Sequence, residues 1–243
     1  MPIILSYDVE TTGLDTSTDR VIEVGAILYS TGQRKCLESK GFLVKTDKPI
    51  SPEITKLTSI TQAAVDKFGY DSEESLDDVI DLMSQADAIA GQNVLRFDKR
   101  ITESWATRFK KTLPSKLWID TRTDLPGVES KSLTYMAADH GFLNLFPHSA
   151  LADCQTVLKL ITMYDINQVI ARAKEPTVIL KAHVGFENNG LAKARKYGWY
   201  DDKKGTKFWY KIVKQSDVAV ETSHSEFDVS FVTDISVETL WYR

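Results

Sequence analysis

Met1-Pro2-Ile3-Ile4-Leu5-Ser6-Tyr7-Asp8-Val9-Glu10-Thr11-Thr12-Gly13-Leu14 is the stretch from which the rest of the chain can be read. Ile3, Leu5, Tyr7 and Val9 alternate with Ile4, Ser6, Asp8 and Glu10, a period of two that predicts a strand with both acids on one face. Two neighbouring carboxylates repel, and such a pair is most readily tolerated around a hard divalent cation. The reading is therefore a strand that ends in a metal site. An Asp-x-Glu triplet arises by chance about once in a chain of this size, so the pair counts only if other residues converge on it.

With 243 residues, of which 42% are hydrophobic, the chain suffices for a large domain or for a medium domain with a small one. A net charge of −4 gives no global basic footprint, so contact with nucleic acid has to be local or metal-mediated. Cys36 and Cys154 are far apart and suggest neither a disulfide framework nor a zinc ribbon. No apolar run approaches membrane-spanning length and no basic leader precedes the first strand, so the expectation is a cytoplasmic protein without a membrane partner.

Outward from the first strand, Arg20 to Tyr29 reads as a second strand and Lys35 to Val44 as a third, an antiparallel meander joined at Ser30-Thr31-Gly32-Gln33. Short helical pieces fit 53–57 and 61–65, and a helix fits 73–84. Ala86 to Gly91 and Lys116 to Asp120 read as further strands. A helical pattern runs from Asn93, as N-cap, to about Lys110. Another covers Lys131 to His140, and a long one extends from Ser149 to about Arg172. Strands alternating with helices predict an α/β domain. Lys174-Glu175-Pro176 is the linker candidate, which gives a domain over 1–175 and a small α+β one over 176–243.

Two further stretches carry chemistry. Asn93-Val94-Leu95-Arg96-Phe97-Asp98 places a carboxylate after a strand end, where active-site residues of α/β sheets collect. His148-Ser149-Ala150-Leu151-Ala152-Asp153 sets an imidazole five residues before an acid. In a continuous helix that spacing is about 140° off one face. Pro147 lets His148 lie in the preceding loop, with Ser149 as N-cap, so the ring can turn toward the site that Asp153 faces.

Asp8-x-Glu10-Thr11-Thr12-Gly13-Leu14, then Asn93-x3-Phe97-Asp98, then His148-x4-Asp153, in that order and separation, resemble the three motifs of the DEDDh exonucleases. That family includes proofreading exonucleases, ribonuclease T and oligoribonuclease. The likeness covers roughly residues 1–165 and extends to Ile119-Asp120-Thr121, Lys131-Ser132-Leu133 and Ala150-Leu151-Ala152-Asp153. Gln92 stands where a His often precedes the Asn, and Thr58-Ser59-Ile60-Thr61 where a His-Gly-Ile-Thr-like loop is common.

The resemblance implies a ribonuclease-H-like mixed sheet, an antiparallel meander plus parallel strands, flanked by helices. It implies a two-metal-ion phosphodiester hydrolase using Mg²⁺, with Mn²⁺ as substitute. Its substrate would be a nucleic acid with a free 3′ end, single-stranded DNA ahead of RNA, released as 5′-mononucleotides. Asp8 would bridge both ions, Glu10 and Asp153 would complete the first, and Asp98 would serve the second through water. His148 would take the proton of the attacking water. Thr11, Thr12, Leu14, Asn93 and Phe97 would contact the terminal nucleotide. A non-catalytic nucleic-acid-binding scaffold of the same fold is the alternative.

From Thr177 to Lys214, nine Lys/Arg stand against three acids, while Gln215 to Arg243 is net −5. Basic residues interleave there with Tyr197, Trp199, Tyr200, Trp209 and Tyr210. This fits a stacking platform for single strands, or a very small domain that needs Trp199, Trp209 and Tyr210 as its core. His140, His183 and His224 have no motif around them, and Cys154 reads as a core thiol.

Overall fold

The opening alternation becomes β1 (Ile3–Thr11) in a computed structural model that describes residues 1–128, 132–223 and 226–241. Both of its faces are covered. Leu5, Tyr7 and Val9 join one buried cluster and Ile4 joins another, so the period of two assigns side chains to two different cores. The chain forms two compact units, Met1–Ala173 and Lys174–Arg243.

In the first unit β1 pairs antiparallel with β2 (Val21–Ser30), which pairs antiparallel with β3 (Lys35–Leu43). Three helices follow, α1 (Pro52–Thr58), α2 (Gln62–Phe68) and α3 (Ser72–Gln85). Asp71 caps α3 through the Glu73 and Glu74 amides. Next come β4 (Ala88–Gly91), α4 (Asp98–Arg108) and β5 (Leu117–Asp120). The unit closes with α5 (Leu133–Asp139), α6 (Ala150–Ile161) and α7 (Ile166–Lys174). The sheet order is β3-β2-β1-β4-β5, with β1, β4 and β5 parallel.

Helices α3 and α4 cover one face of the sheet through Leu76, Val79, Met83, Ile101 and Trp105. Helices α5 and α6 cover the other through Met136, Val157, Leu160 and Ile161. This is the mixed, helix-flanked, ribonuclease-H-like α/β architecture expected.

Three sequence expectations shift. The helix expected from Asn93 starts at Asp98, because Asn93 has φ 58° and Asn93 to Phe97 form hydrogen-bonded turns. Asn93 therefore caps nothing. The long helix from Ser149 to Arg172 breaks between Ile161 and Ile166. Asp165 opens the second piece, its carboxylate accepting the Asn167 amide at 2.9 Å and its carbonyl the Val169 amide at 3.1 Å. The helix expected from Lys131 begins at Leu133, with Lys131 outside the described residues.

The second unit is an antiparallel sheet, β7-β8-β6-β9, built from β6 (Thr177–His183), β7 (Gly198–Asp201), β8 (Lys207–Lys214) and β9 (Asp228–Val232). Short helices α8 (Asn189–Ala194), α9 (Val218–Ser223) and α10 (Val237–Trp241) accompany it. Ile179, Tyr200, Phe208 and Leu240 form the core on one face, and Leu180, Ala182, Ala192 and Tyr197 that on the other. Tyr210 and Trp209 pack against these cores half-buried, whereas Trp199 stays out, 51% exposed. No helix among the described residues is long and apolar enough to cross a membrane.

Candidate active site

Asp8 and Glu10 stand at the carboxyl end of β1, beside the carboxyl end of the parallel β4, and a bulge in the β1–β2 ladder falls between Glu10 and Thr11. The acid-bearing face of β1 meets α6. The Ser6 hydroxyl donates to the Cys154 carbonyl at 2.9 Å and the Cys154 thiol donates to the Gly25 carbonyl at 3.2 Å. Gly25, cross-strand from Asp8, lies against the first residues of α6. A Cβ there would come within 2.2 Å of the Ala150 backbone. That approach brings Asp153, in the first turn of α6, over the two acids.

Asp98 arrives from the other side. Its carboxylate accepts the Val9 amide at 3.0 Å, which fixes the start of α4 to β1 between the two acids. His148 has φ 64° and its amide donates to Asp153 at 3.2 Å. The left-handed backbone turns the exposed imidazole back over the helix start. Ser149 makes no side-chain cap. Instead Glu23 accepts the Ala150 amide at 3.0 Å. Ligand atoms of Glu10, His148 and Asp153 all lie within 4.8 Å of one another, a group able to hold a metal ion.

The electrostatics are those of a site short of positive charge. Burial, reinforced by Asp98, Asp153, Glu10 and Glu23, pushes Asp8 well above the usual carboxylate range. Burial and then Glu23, Asp153 and Asp98 raise Glu10 to about 8. Asp98 rises to about 7, mainly through burial, against the pull of the Val9 amide. Asp153 is raised by burial and held back by Asn144 and His148. Among the described residues no donor hydrogen-bonds the carboxylate of Asp8 or of Glu10. This donor set fits divalent cations, which would supply the missing charge.

These residues line a cleft of about 510 Å³ together with Thr11, Leu14, Asn93, Phe97 and Arg122. Thr12 is not part of its wall: its hydroxyl donates to Asp19 at 2.7 Å and accepts the Arg20 amide at 3.0 Å, so it braces the loop. Gln92 lines the cleft, bonded to Thr121, and so does Thr58. His140 pairs with Tyr164 and His183 with Ser230, Cys154 is buried, and His224 lies outside the described residues.

Four contributors were given no role from the sequence, although Asp120 stands in the family-like Ile119-Asp120-Thr121. Asn144 donates to Asp153 at 2.6 Å, and Glu23, opposite Glu10, anchors α6. Asp120 accepts the amides of Asn93 and Arg122 at 2.9 and 3.0 Å, and the Arg122 guanidinium donates to the Asn93 side chain at 2.9 Å. Glu23 had a signal, as the one acid in the apolar run Val21-Ile22-Glu23-Val24. The loop carrying Asn144 had none.

This sheet and its acid-walled cleft define a ribonuclease-H-like exonuclease fold. The RNase_T exonuclease family model matches residues 5–161, and the chain belongs to that family. It is 27% identical over 220 residues to the PolC-type DNA polymerase III of Thermotoga maritima, spanning 86% of this chain and only 15% of that one. E. coli exonuclease I, solved with single-stranded DNA in a zinc-bound form, superposes with TM-score 0.61 at 18% identity over 79% of this chain and 50% of that one. The nuclease domain of 3′hExo, a DEDDh member bound to rAMP, gives 0.56 at 20% identity over 66% of this chain and 90% of that one.

Proposed function

We propose that this chain is a metal-dependent 3′→5′ exonuclease that hydrolyses the terminal phosphodiester of single-stranded DNA and releases 5′-mononucleotides. The observation that carries the reading is the convergence of Asp8, Glu10, Asp98 and Asp153, from three separate elements, in one cleft with His148, with no donor hydrogen-bonded to the Asp8 or Glu10 carboxylate among the described residues. Those four acids would hold two Mg²⁺ ions, with Mn²⁺ able to replace them. When bound, such ions activate a water and stabilise the departing oxygen.

The chain's own groups do the rest. The His148 imidazole, exposed at the cleft mouth, receives the proton of the attacking water on a ring nitrogen. Asn144 and the His148 amide hold Asp153 in place from opposite oxygens. Leu14, 85% exposed, and half-buried Phe97 offer apolar surface to the terminal base. Arg122, braced by Asn93, offers a cation at the wall for a phosphate. The DNA complexes of exonuclease I support the choice of polymer.

The test is degradation of single-stranded DNA, duplex DNA, RNA and dinucleotides carrying radioactive phosphorus in the 3′-terminal phosphodiester, after metal stripping, with and without added Mg²⁺ or Mn²⁺. The expected result is cation-dependent release of mononucleotides, fastest from single-stranded DNA. Full activity in EDTA would overturn the metal assignment, and oligonucleotide products would overturn the exonuclease assignment.

A further inference from the structure

The C-terminal unit displays an aromatic pair that its own cores take up only in part. Trp199 on β7 and Trp209 on β8 are cross-strand partners, with ring centroids 5.1 Å apart and planes tilted by 59°. Trp209 packs half-buried against the cluster of Leu180, Ala182 and Tyr197. Trp199, on the edge strand, belongs to neither cluster and leaves half its surface in water.

Cations surround this pair. The Lys193 ammonium of α8 lies 5.8 Å from the Trp209 ring centroid, and no acid pairs with it among the described residues. Lys207 and Lys211 sit two residues either side of Trp209, hence on its face of β8 and diagonal to Trp199. Asp201 and Glu221 meet part of their charge, yet 177–214 as a whole carries nine cations against three acids.

We propose that the Trp199–Trp209 edge is a second binding site for single-stranded nucleic acid, in which an unpaired base stacks on the Trp199 indole and Lys193 meets the adjoining phosphate. Every base has a π-face, so such a platform accepts any sequence, while ammonium groups supply the salt-sensitive part of the affinity. A protein partner fits less well, because lysines are depleted at the centres of protein interfaces. The choice of polymer rests on the nuclease reading above, though the platform does not need the cleft. Tethered to the catalytic unit, it would keep a strand at high local concentration between cleavage events.

The experiment is fluorescence anisotropy of labelled (dT)20 and (rU)20 with the full chain in EDTA, across a salt series. Trp199→Ala is expected to weaken binding about 5- to 150-fold, the equivalent of roughly 1–3 kcal/mol for one stacked base. Trp199→Phe should fall between. Lys193→Gln should reduce the slope of log affinity against log salt by about 0.7, one phosphate contact. A folded Trp199→Ala protein with wild-type affinity overturns the proposal. If that variant does not fold, an unchanged salt slope in Lys193→Glu overturns it instead. Trp199-dependent binding by a chain that releases no nucleotides would sink the nuclease reading and leave this one standing. Nuclease activity with Trp199-independent binding would do the reverse.

Discussion

The two units bury acids in opposite ways. In the cleft, burial drives Asp8, Glu10, Asp98 and Asp153 above their usual range, and neighbouring acids add to the rise of the first three. In the C-terminal unit Glu221 is buried too, at 7% exposure, yet its carboxyl is held low despite the burial. Arg195 grips it at 3.0 and 3.1 Å and Lys211 at 2.8 Å. One region carries its cations in the sequence and so is complete on folding. The other crowds its carboxylates together, which costs stability and makes a group that could hold a metal ion.

The largest break in this contrast comes from removing the open acids. Asp8→Ala or Asp153→Ala is expected to abolish mononucleotide release with Mg²⁺ or Mn²⁺, and His148→Ala to lower it by about 10²–10⁴-fold, read as initial rates on single-stranded DNA. A Glu221→Ala protein should instead keep the cleft's chemistry and lose fold. Stranding Arg195 and Lys211 would cost about 2 kcal/mol, less than for a wholly buried pair because both cations are more than a quarter exposed. Urea unfolding of the C-terminal unit checks it, and an unchanged midpoint would show that the pair is idle.

The smallest and most discriminating effect is in pH. A raised carboxyl binds protons more tightly folded than unfolded, so its contribution is fully present below the unfolded value and is lost as pH rises through the folded one. For Glu10 that window runs from its usual 4.5 to about 8, and for Asp98 from 3.8 to about 7. Without divalent ions the catalytic unit should therefore loosen between about pH 5 and 8, and Mg²⁺ should reverse the loss. Glu221, lowered, works with the opposite sign. Its stabilisation is present above the usual glutamate value and fades as pH falls through its folded one. Hydrogen exchange of the Val9 and Val213 amides at pH 3, 5 and 8 in EDTA, corrected for the intrinsic exchange rate, would read each unit separately, with Glu221 acting on the acid side alone, and parallel trends would dissolve the contrast.

What the sequence disclosed follows the same division. The motifs of the candidate site are legible because strand alternation and short helix-start spacings place Asp8, Glu10, Asp98 and Asp153 locally. Their supporters are not, since Asn144 and Asp120 act across loops whose paths no periodicity records. Asn93 misled because a polar residue before a helical pattern looks like a cap, whereas its left-handed backbone serves the contact with Asp120. The break after Ile161 is marked in the sequence by Asp165-Ile166-Asn167, but apolar residues at helical spacing on both sides, Val157, Leu158, Ile161 and Ile170, suggest one continuous helix. In the C-terminal unit, charge and aromatic content were plain and their disposition was not, for only strand pairing reveals that Tyr200 and Phe208 fill the core while Trp199 faces water.

Gly25 carries a lesson for surveys of related chains. It bears no chemistry and belongs to no motif, yet any side chain there would collide with the backbone at the head of α6 and lift Asp153 off β1. A relative could preserve all four acids and the histidine and still be inert through a single methyl group on the neighbouring strand. Screening for pseudoenzymes in this family should therefore score the floor beneath the helix as well as the residues that the helix displays.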